Sequence, residues 1–475
     1  MQTVTESERK YDVPTGFALP TLTGAGGVSG SGEPEIHELD ATYFDTEDLR
    51  LARNKHTLRR RTGGTDAGWH LKTPGKGSSR TEHQLPLTDG DDVPAELVAE
   101  VRTIVRTRPL RPVATLRTRR VETPLRDADG RTLALIAQDD VDAETDSGQQ
   151  RWRELEVELV DGGPEVLEAV EGLLRAAGAT PAAGPSKLAR ALGDRLRPPT
   201  TGKTPKTGPV LGYAREQRDA IEAHDPAVRA GDADGVHKMR VATRRLRSTL
   251  KTFKDSFDPA RAEHLKDELK WLADRLGDVR DGQVLSHKLT AAADAFPEVA
   301  AHLREKLEAD VARGRQALVE ALDSDRYLAL LDAMDALIDE ADPDEGSATR
   351  RARKVLRRAD ALLDTAVGDG VDAELHEARK KYKQARYAVE VLAPTAGRPG
   401  KKLVSALTSL QDVLGAHQDS VVARELLRDV ARTAPDAFAY GVLYARQERV
   451  GEETFHELPA VIKSSRKGGV RGWLG

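Results

Sequence analysis

The sequence contains no cysteine, which excludes disulfides and thiolate metal sites. Such a composition is consistent with a reducing cytosol. None of the twelve histidines stands in a metal-ligand spacing such as HExxH. His70 and His83 are therefore interpreted as ordinary residues of the surface or of the predicted sheet.

Long apolar runs and an excess of charge of one sign are also missing. No apolar stretch approaches the ~18 residues of a membrane helix, and no basic segment with an apolar core opens the chain. The 73 basic residues are balanced by 78 acidic ones, for a formal net charge of −5. We therefore expect a cytoplasmic protein without a membrane partner, in which any anion is bound by local clusters.

At 475 residues the chain is long enough for two to four domains, and its composition changes once. The segment Arg197–Pro209, RPPTTGKTPKTGP, is interpreted as a linker. Before it, short alternating segments predict an antiparallel β domain with helices at Ala95–Arg106 and Glu165–Ala177. After it, Ala, Leu, Arg and Glu recur with helical periodicity, which predicts an all-α bundle. The predicted domains are residues 1–197 and 210–475, joined by residues 198–209.

Charged residues recur at alternate positions of the predicted strands, which places them on one face of a sheet. Acidic residues do so in TESERKY and RWRELEVELV, and basic residues in TLRRRT, WHLKTP and ATLRTRRV. On any single strand this pattern is typical of a solvated face. Like charges on neighbouring strands repel, so the whole set on the inner face of a curved sheet requires a divalent cation and a polyanion. The residues alone therefore predict a metal-dependent phosphate site inside a β-barrel.

An ordered set of these motifs resembles the CYTH domain, the family of triphosphate tunnel metalloenzymes. The motifs are ExExK at Glu6–Lys10, YFDT at Tyr43–Thr46, LRRR at Leu58–Arg61, Lys72, Glu82, the Arg117/Arg119 pair, the Asp-rich strand end Gln138–Asp140, ELEVEL at Glu154–Leu159 and PSKLARAL at Pro185–Leu192. The resemblance implies an eight-stranded antiparallel barrel, open as a tunnel, that processes triphosphates with Mg²⁺ or Mn²⁺.

The same resemblance implies roles for individual residues. The expected metal ligands are Glu6, Glu8, Asp140, Glu156 and Glu158. The expected phosphate clamp is Lys10, Arg59, Arg61, Lys72, Arg117, Arg119 and Lys187. The expected catalytic residues are Glu6, Glu8, Lys10 and Glu82, where Glu82 would orient one of the cations. Three choices stay open: Glu154 shares the face of Glu156 and Glu158, only one of Asp139 and Asp140 can face the tunnel, and Arg117 and Arg119 are interchangeable.

The second half contains an internal repeat. HKMRVATRRLRSTL begins at His237 and aligns with HEARKKYKQARYAV at His376, an offset of 139 residues. LGDVRDGQV at Leu276–Val284 aligns with LGAHQDSVV at Leu414–Val422, an offset of 138. Two near-equal offsets indicate a duplicated helical unit. The repeats are placed at about 210–340 and 341–475.

Basic residues form one stripe along the first helix of each aligned pair, at i, i+3, i+7 and i+10. The two stripes are His237, Arg240, Arg244 and Arg247, and His376, Arg379, Lys383 and Arg386. A solvated face is the usual meaning of such a stripe, but its repetition and its scarcity of acids favour a bound polyanion. Aromatic residues are few, so a phosphate chain fits better than nucleic acid. A further basic cluster, TRRARKVLRR at Thr349–Arg358, is expected to add to this surface.

These stretches resemble the CHAD domain, a helical module often fused to CYTH domains and associated with inorganic polyphosphate. The second repeat departs at Lys383-Gln384, where the first has Arg244-Arg245, so we expect weaker contacts there. The two resemblances together predict an inorganic triphosphatase that hydrolyses tripolyphosphate and binds long-chain polyphosphate, in the cytoplasm and in association with polyphosphate granules. The alternatives are a non-catalytic polyphosphate-binding protein, and a tunnel enzyme acting on thiamine triphosphate, a nucleotide or an RNA 5′-triphosphate.

Overall fold

The chain forms two compact units, Met1–Gly202 and Lys203–Gly475. The structure is a computed structural model that describes residues 2–14, 16–74, 80–182, 184, 186–196, 208–341, 345–432 and 437–474. Most of the predicted linker, residues 197–207, lies outside the described residues. The first unit is built on an antiparallel sheet and the second is helical, as the sequence predicts.

Eleven strands of the described residues form one sheet. They are β1 (Gln2–Glu6), β2 (Glu8–Asp12), β3 (Gly30–Ser31), β4 (Glu35–Asp45), β5 (Thr57–Thr62), β6 (Gly68–Pro74), β7 (Arg80–Leu85), β8 (Arg111–Arg126), β9 (Thr132–Thr145), β10 (Gly148–Leu159) and β11 (Thr180–Pro181). Their order is β1-β7-β6-β5-β4-β8-β9-β10-β2-β11, and β3 pairs with β8 beside this path. The order does not close on itself among the described strands, so the predicted closed barrel of eight strands is not confirmed.

The opening segment of the chain supplies β1 at one end of this sheet and β2, which lies between β10 and β11, near the other end. β1 pairs with β7, whereas β2 pairs with β10, where Glu8 lies opposite Glu158 and Lys10 opposite Glu156. Ser7 separates the two strands, and its carbonyl accepts a hydrogen bond from the amide of Leu159 at 3.0 Å. Glu8 of β2 is therefore brought beside the alternating acids of β10.

Four α-helices accompany the sheet in the described residues: α1 (Arg50–Arg53), α2 (Ala95–Val105), α3 (Pro164–Ala176) and α4 (Lys187–Leu192). The predicted helices at Ala95–Arg106 and Glu165–Ala177 correspond to α2 and α3. In α4 the buried residues Leu188, Ala191 and Leu192 follow helical spacing and pack with Trp152. This packing anchors α4 to the sheet and directs Lys187, its first residue, toward the sheet cavity.

The second unit contains ten α-helices in the described residues. They are α5 (Pro209–Arg229), α6 (Ala233–Thr252), α7 (Pro259–Ala292), α8 (Pro297–Leu322), α9 (Asp325–Asp339), α10 (Ala348–Asp369), α11 (Asp372–Ala396), α12 (Arg398–Ala431), α13 (Ala437–Ser465) and α14 (Gly468–Arg471). Leucines at helical spacing, such as Leu265, Leu269, Leu272 and Leu276 of α7, form the core. None of the described helices has both the length and the apolarity needed to cross a bilayer.

The predicted duplication is visible in the helix positions. Helices α5, α6 and α7 begin 139 residues before α10, α11 and α12 respectively. Equivalent arginines also lie against equivalent glycines. A Cβ on Gly277 would stand 3.5 Å from Arg240 Nη2, and one on Gly415 would stand 3.8 Å from Arg379 Nη2. The glycine of each LG motif therefore leaves room for a guanidinium against the neighbouring helix.

Candidate active site

One face of the sheet lines a cavity of about 820 Å³, a volume that includes its open mouth. Its basic residues are Lys10, Arg59, Arg61, Lys72, Arg120 and Lys187, and its acidic residues are Glu8, Asp66, Glu156 and Glu158. They come from five strands, one loop and α4, so the fold assembles the set from distant parts of the chain. Eight of the residues predicted from the sequence to bind phosphate or metal therefore meet in one place: Glu8, Lys10, Arg59, Arg61, Lys72, Glu156, Glu158 and Lys187.

The alternation on β5 agrees with the structure. Arg59 and Arg61 line the cavity, whereas Arg60 does not and its Nε lies 3.6 Å from Asp91 Oδ1. Period-two geometry accounts for the difference, because successive side chains of a strand point to opposite faces.

The prediction for β8 is wrong by one residue. Arg117 and Arg119 lie on the outer face, with side chains 63% and 47% exposed, and their Nε atoms stand 3.5 Å from Asp40 and 3.9 Å from Glu38. Arg120 lines the cavity instead. The repeated arginines belong to solvated cross-strand ion pairs with β4. The sequence signal for Arg120 is weak because its inward neighbours on β8, Leu116 and Thr118, are uncharged.

The choice between the two aspartates of β9 is also decided by the structure. Asp140, the predicted metal ligand, points outward, where its Oδ1 accepts from Arg153 Nε at 2.6 Å. Asp139 is buried and pairs with Arg120 through two hydrogen bonds of 2.9 and 2.8 Å. Asp139 is therefore the aspartate on the cavity side. The side chain of Glu6 lies outside the described part of the structure.

A buried acidic cluster is formed by Asp139, Glu154 and Glu156, whose carboxylate oxygens lie within 4.8 Å of one another. The ammonium of Lys187 stands 2.8 Å from Asp139, 2.7 Å from Glu154 and 2.7 Å from Glu156. Arg120 Nη2 adds a contact of 2.5 Å to Glu156. Burial would lower the pKa of Lys187, but Glu156 and Asp139 hold it above its ordinary value.

Opposite charge lowers the pKa of Glu156, the member of this cluster nearest to most of the cations. Burial alone would raise the pKa of Glu156, but Lys10, Lys187 and Arg120 hold it well below the ordinary range. Lys10 Nζ donates to Glu156 Oε1 at 2.6 Å and also lies 3.1 Å from Glu8. Glu156 is thus ionised, and its charge is balanced by the protein's own cations.

The pair formed by Glu8 and Glu158 is less well compensated by cations than the cluster of Asp139, Glu154 and Glu156. The two residues are directly opposed in the β2–β10 ladder. Burial raises the pKa of Glu158, and the charge of Glu8 raises it further. Glu158 forms no ion pair with any cation of the described residues. Two carboxylates that repel in this way offer the oxygen ligands that a hard divalent cation prefers.

Glu82 is buried behind the basic residues of β5 and β6. Its carboxylate lies 2.8 Å from Nδ1 of His70, 3.7 Å from Arg59 and 3.6 Å from Lys72. His70 Nε2 is 2.9 Å from the carbonyl of Asp66. Glu82 thus has the position expected of a residue that orients cations. His70, predicted to be an ordinary residue, also belongs to this support.

Arg59, Arg61 and Arg120 bring three guanidinium groups into the same cavity. Burial, together with the charges of Arg59 and Arg120, lowers the pKa of Arg61 to about 9. Arg61 contacts Asp66, which is half exposed at the cavity rim. Burial would raise the pKa of the Tyr43 phenol, but Arg59 holds it below its ordinary value. The cavity floor is therefore strongly electropositive.

In the helical unit the two stripes meet only in part. Arg244 of α6 lies near Arg379 and Lys383 of α11, where burial and the charges of Arg244 and Arg379 lower the pKa of Lys383 to about 6. Arg240 joins this group and forms a bidentate pair with Asp281 of α7 at 2.8 and 2.7 Å. We call Arg240, Arg244, Arg379 and Lys383 the α6–α11 groove.

Two of the remaining stripe residues, His376 and Arg386, have other partners. Arg386 donates to Glu390 of its own helix at 2.7 Å, and His376 Nδ1 lies 2.7 Å from Gln418 Oε1. Burial lowers the pKa of His237, and the charge of Arg280 lowers it further. Acids are scarce along the stripes themselves, and the acids that pair with them are Glu390, beyond the end of the second stripe, and Asp281 of α7. Only the tertiary structure reveals these partners.

Comparisons with known proteins agree with both units. A family model of the CYTH domain matches residues 5–192, and a family model of the CHAD domain matches residues 212–428. The chain belongs to the proteins that join a CYTH domain to a CHAD domain. A protein of Mycobacterium tuberculosis, the uncharacterised protein Rv2226, is 40% identical over 501 aligned residues, which span 97% of this chain and 96% of the relative.

Two solved structures are also similar to this CYTH–CHAD protein. PptA from Streptomyces chartreusis has 22% identity and a TM-score of 0.47, covering 54% of this chain and 98% of PptA. The CHAD domain from the plant Ricinus communis has 26% identity and a TM-score of 0.40, covering 56% of this chain and 90% of that domain.

The CYTH domain holds the cavity, and CYTH tunnel enzymes are typically metal-dependent. Its residues fit a metal ion, because the buried cluster of Asp139, Glu154 and Glu156 can supply three carboxylates. Lys187, Arg120 and Lys10 already compensate that cluster, whereas Glu158 forms no ion pair among the described residues and is repelled by Glu8. Charge balance therefore favours the Glu8–Glu158 pair as the place where a metal ion relieves most repulsion.

Proposed function

We propose that this CYTH–CHAD protein is a metal-dependent inorganic triphosphatase that hydrolyses tripolyphosphate to phosphate and pyrophosphate. The observation that supports it is the electropositive floor of the cavity, where Arg61 has a pKa of about 9 beside Arg59 and Arg120. Buried guanidinium groups that repel one another favour an anion with several charged oxygens, which relieves all of them together.

The lining favours an inorganic triphosphate over a nucleotide. Tyr43 is the one aromatic residue among the lining residues described, and it faces Arg59. The apolar lining consists of Leu39, Ala41 and Leu116, which offer no ring on which a base or thiazole can stack. Recognition is therefore left to charge, as a chain of phosphate groups requires.

Separate residues of the protein bind the phosphate groups and position the side chains that bind them. Arg59, Arg61, Lys72 and Arg120 bind phosphate oxygens, and Glu82 keeps Arg59 and Lys72 in place. Glu8 and Glu158 would hold Mg²⁺ or Mn²⁺. When bound, the metal ion neutralises phosphate oxygens and the charge that develops during in-line displacement by water. No serine or cysteine nucleophile is needed.

Phosphate release tests this proposal. Tripolyphosphate, pyrophosphate, ATP, thiamine triphosphate, an RNA 5′-triphosphate and long polyphosphate are compared with Mg²⁺ or Mn²⁺. We expect tripolyphosphate to be the preferred substrate. Glu8→Gln should lower turnover by ~10²-fold or more, because a metal-directed charge is lost. Glu144→Gln, on the outer face, is the control and should have little effect.

Two results would contradict the proposal. Turnover at the wild-type level in Glu8→Gln would remove Glu8 from the site. Failure of the folded protein to release phosphate from any triphosphate would favour the non-catalytic alternative.

We also propose that the CHAD domain binds long-chain inorganic polyphosphate and associates the protein with polyphosphate granules in the cytoplasm. The supporting observation is the α6–α11 groove, where burial and neighbouring cations lower the pKa of Lys383 to about 6. Charge reversal at the groove residues Arg240, Arg244 and Arg379 should abolish binding of long polyphosphate with helix content unchanged. Binding that survives the reversal, or a preference for nucleic acid, would contradict the proposal.

A further inference from the structure

A second basic pocket lies on the helical unit, and none of the eight stripe residues lines it. It has a volume of about 850 Å³, including its open side. Its basic residues are Lys251, Lys254, Arg351, Lys354, Arg358 and Lys381. They come from the end of α6, the segment after it, α10 and α11. Three of them belong to the TRRARKVLRR cluster, which the groove does not use.

The positive charge of this pocket is scarcely compensated by the protein. Arg351 contacts Asp255, and the other five basic residues form no ion pair with any described residue. Burial lowers the pKa of Lys251, and the charges of Lys381, Arg247 and Lys266 lower it further. The lining contains no aromatic ring among its described residues.

The internal duplication provides a control for this interpretation. At an offset of 139 residues, Lys251 of α6 corresponds to Glu390 of α11, and Arg358 of α10 corresponds to Asp219 of α5. Glu390 accepts hydrogen bonds from Tyr213 at 2.8 Å and Arg386 at 2.7 Å, and lies 3.1 Å from Arg245. The equivalent position in the other repeat therefore contains its own buried anion.

The comparison between repeats shows what the basic pocket lacks. In the repeat that has Glu390, the neighbouring Arg245, Arg386 and Tyr213 all contact its carboxylate. Where Lys251 replaces that acid, cations surround the position from three helices, and the compensating anion has to come from solution. Phosphate oxygens are the acceptors that such Arg and Lys groups bind best.

We propose that this pocket is a second phosphate-binding site of the protein, which takes a short condensed phosphate such as tripolyphosphate or pyrophosphate. The absence of an aromatic lining among the described residues disfavours nucleotides. The site is independent of the α6–α11 groove because the two share no residue. The same pocket could also bind the end of a long polyphosphate that is held in the α6–α11 groove. The experiment below distinguishes a free short phosphate from the end of such a polyphosphate.

Lysine acetylation of the full chain tests the proposal at the pocket itself. The acetylation rates of Lys251, Lys354 and Lys381 are measured by mass spectrometry with and without inorganic tripolyphosphate, in EDTA to prevent hydrolysis. Sulfate at equal ionic strength is the control anion, and Lys270, which pairs with Asp274, is the control residue. At a ligand concentration of ten times Kd, the three pocket lysines should react about tenfold more slowly, and Lys270 should be unchanged.

Substitutions inside and outside the pocket test where the phosphate that protects the lysines is bound. Lys251→Glu introduces the acid found at Glu390, so it should abolish protection of Lys354 and Lys381 without loss of helix content. Arg358→Ala should weaken protection, whereas Arg313→Ala, in an exposed pair with Asp310 on α8, should leave it intact. If Lys251→Glu fails to fold, the protection assay uses Arg358→Ala and Lys354→Gln instead, because both positions are exposed.

The groove variant Arg244→Ala/Arg379→Ala distinguishes the two sources of phosphate. Protection by tripolyphosphate that persists in this variant supports an independent pocket. Protection seen only with long polyphosphate and lost in this variant would overturn the proposal, because the pocket would then be an extension of the groove. Equal protection by sulfate, or no protection in the wild type, would also overturn it.

Discussion

Arg61 lies in a cavity that already contains Arg59 and Arg120, and its contact with Asp66 at the cavity rim does not offset burial and their repulsion. Its lowered pKa of about 9 means that the folded state disfavours its charge relative to the unfolded chain. A protein that retains such a group loses stability at neutral pH. The proposed triphosphate supplies the missing negative charge, so the unfavourable position and the proposed function have one physical explanation.

Replacing Arg61 should therefore separate stability from activity. We expect Arg61→Ala to leave the melting temperature unchanged or to raise it, because repulsion with Arg59 and Arg120 is relieved. Its kcat/KM for tripolyphosphate should fall by about 10- to 10²-fold, because a contact to the substrate is lost. Arg60→Ala, on the opposite face of β5, is the control and should change neither quantity much. A sensitive Arg60 with an insensitive Arg61 would contradict the cavity assignment.

Lys383 predicts a pH dependence for polyphosphate binding by the groove. With a pKa of about 6, its amine is mostly neutral at pH 7 in the free protein. A bound polyanion raises that pKa, so binding takes up a proton between the free and bound pKa values. Affinity should therefore fall as pH rises above about 6, by at most about tenfold per pH unit. Binding titrations between pH 6 and 8 measure this slope.

Replacing Lys383 by a side chain whose charge does not titrate between pH 6 and 8 should remove the pH dependence of polyphosphate binding. Lys383→Arg keeps its positive charge throughout this range, so its slope should be flatter than that of the wild type. Lys380→Arg is the control, because Lys380 is exposed and pairs with Glu377. The same slope in all three proteins would show that another group titrates.

At the level of elements, α4 is a short helix with a single functional side chain. Ser186 caps it by accepting a hydrogen bond from the amide of Ala189 at 3.1 Å. The buried Leu188 and Leu192 hold the helix against the sheet, and Lys187 extends into the acidic cluster. A six-residue helix has little stability of its own, so packing and capping determine where this ammonium lies.

Removing the ammonium should destabilise the sheet unit. Lys187→Met leaves the buried Asp139, Glu154 and Glu156 with less compensation, and we expect a loss of about 3–5 kcal/mol in the free energy of unfolding at pH 7. Urea denaturation measures it. Arg153→Met breaks the exposed pair with Asp140 on the outer face of the same strands and should cost less than about 1 kcal/mol.

The acid sensitivity of this variant should change in a defined direction. Burial would raise the pKa of Asp139, but Lys187 and Arg120 hold it below its ordinary value. A carboxyl with a lowered folded-state pKa stabilises the protein above its unfolded pKa, near 4, and this stability is lost as the pH falls toward the folded pKa. Lys187→Met removes one of the charges that keep the pKa of Asp139 low. As the pH falls, this variant should therefore lose stability at a higher pH than the wild type does. Added Mg²⁺ or Mn²⁺ should stabilise it more than the wild type, and no such difference would argue against cation binding by this cluster.

At the level of the whole molecule, the two compact units predict that the two proposed activities can be separated. Residues 1–202 contain every cavity residue named above, and residues 203–475 contain the groove and the second pocket. We expect fragment 1–202 to retain triphosphatase activity and fragment 203–475 to bind long polyphosphate without hydrolysing it. Phosphate release and equilibrium binding measure the two activities.

Salt provides a further check on the helical fragment. Contacts between Arg or Lys and a polyanion release counterions, so its binding should weaken steeply as the salt concentration rises. Binding that is insensitive to salt, or hydrolysis by the helical fragment, would contradict this division.

The sequence by itself determined the class of each unit and much of the candidate site. Alternating charge placed Glu8 and Lys10 on one face, and helical spacing with near-equal offsets of 139 and 138 residues indicated the duplicated helices. These features are local, because the period of a strand or a helix decides which residues share a face. The family prediction is confirmed for both units, over residues 5–192 and 212–428.

Only the tertiary structure decided which face points inward and which charges meet. On β8 the repeated arginines pair outward with Asp40 and Glu38, and Arg120 takes the inner position. Lys187 reaches acids on β9 and β10, and Arg240 pairs with Asp281 of the next helix. Such partners are distant along the chain, and the low dielectric of the interior makes their charges decisive only after the strands and helices have packed.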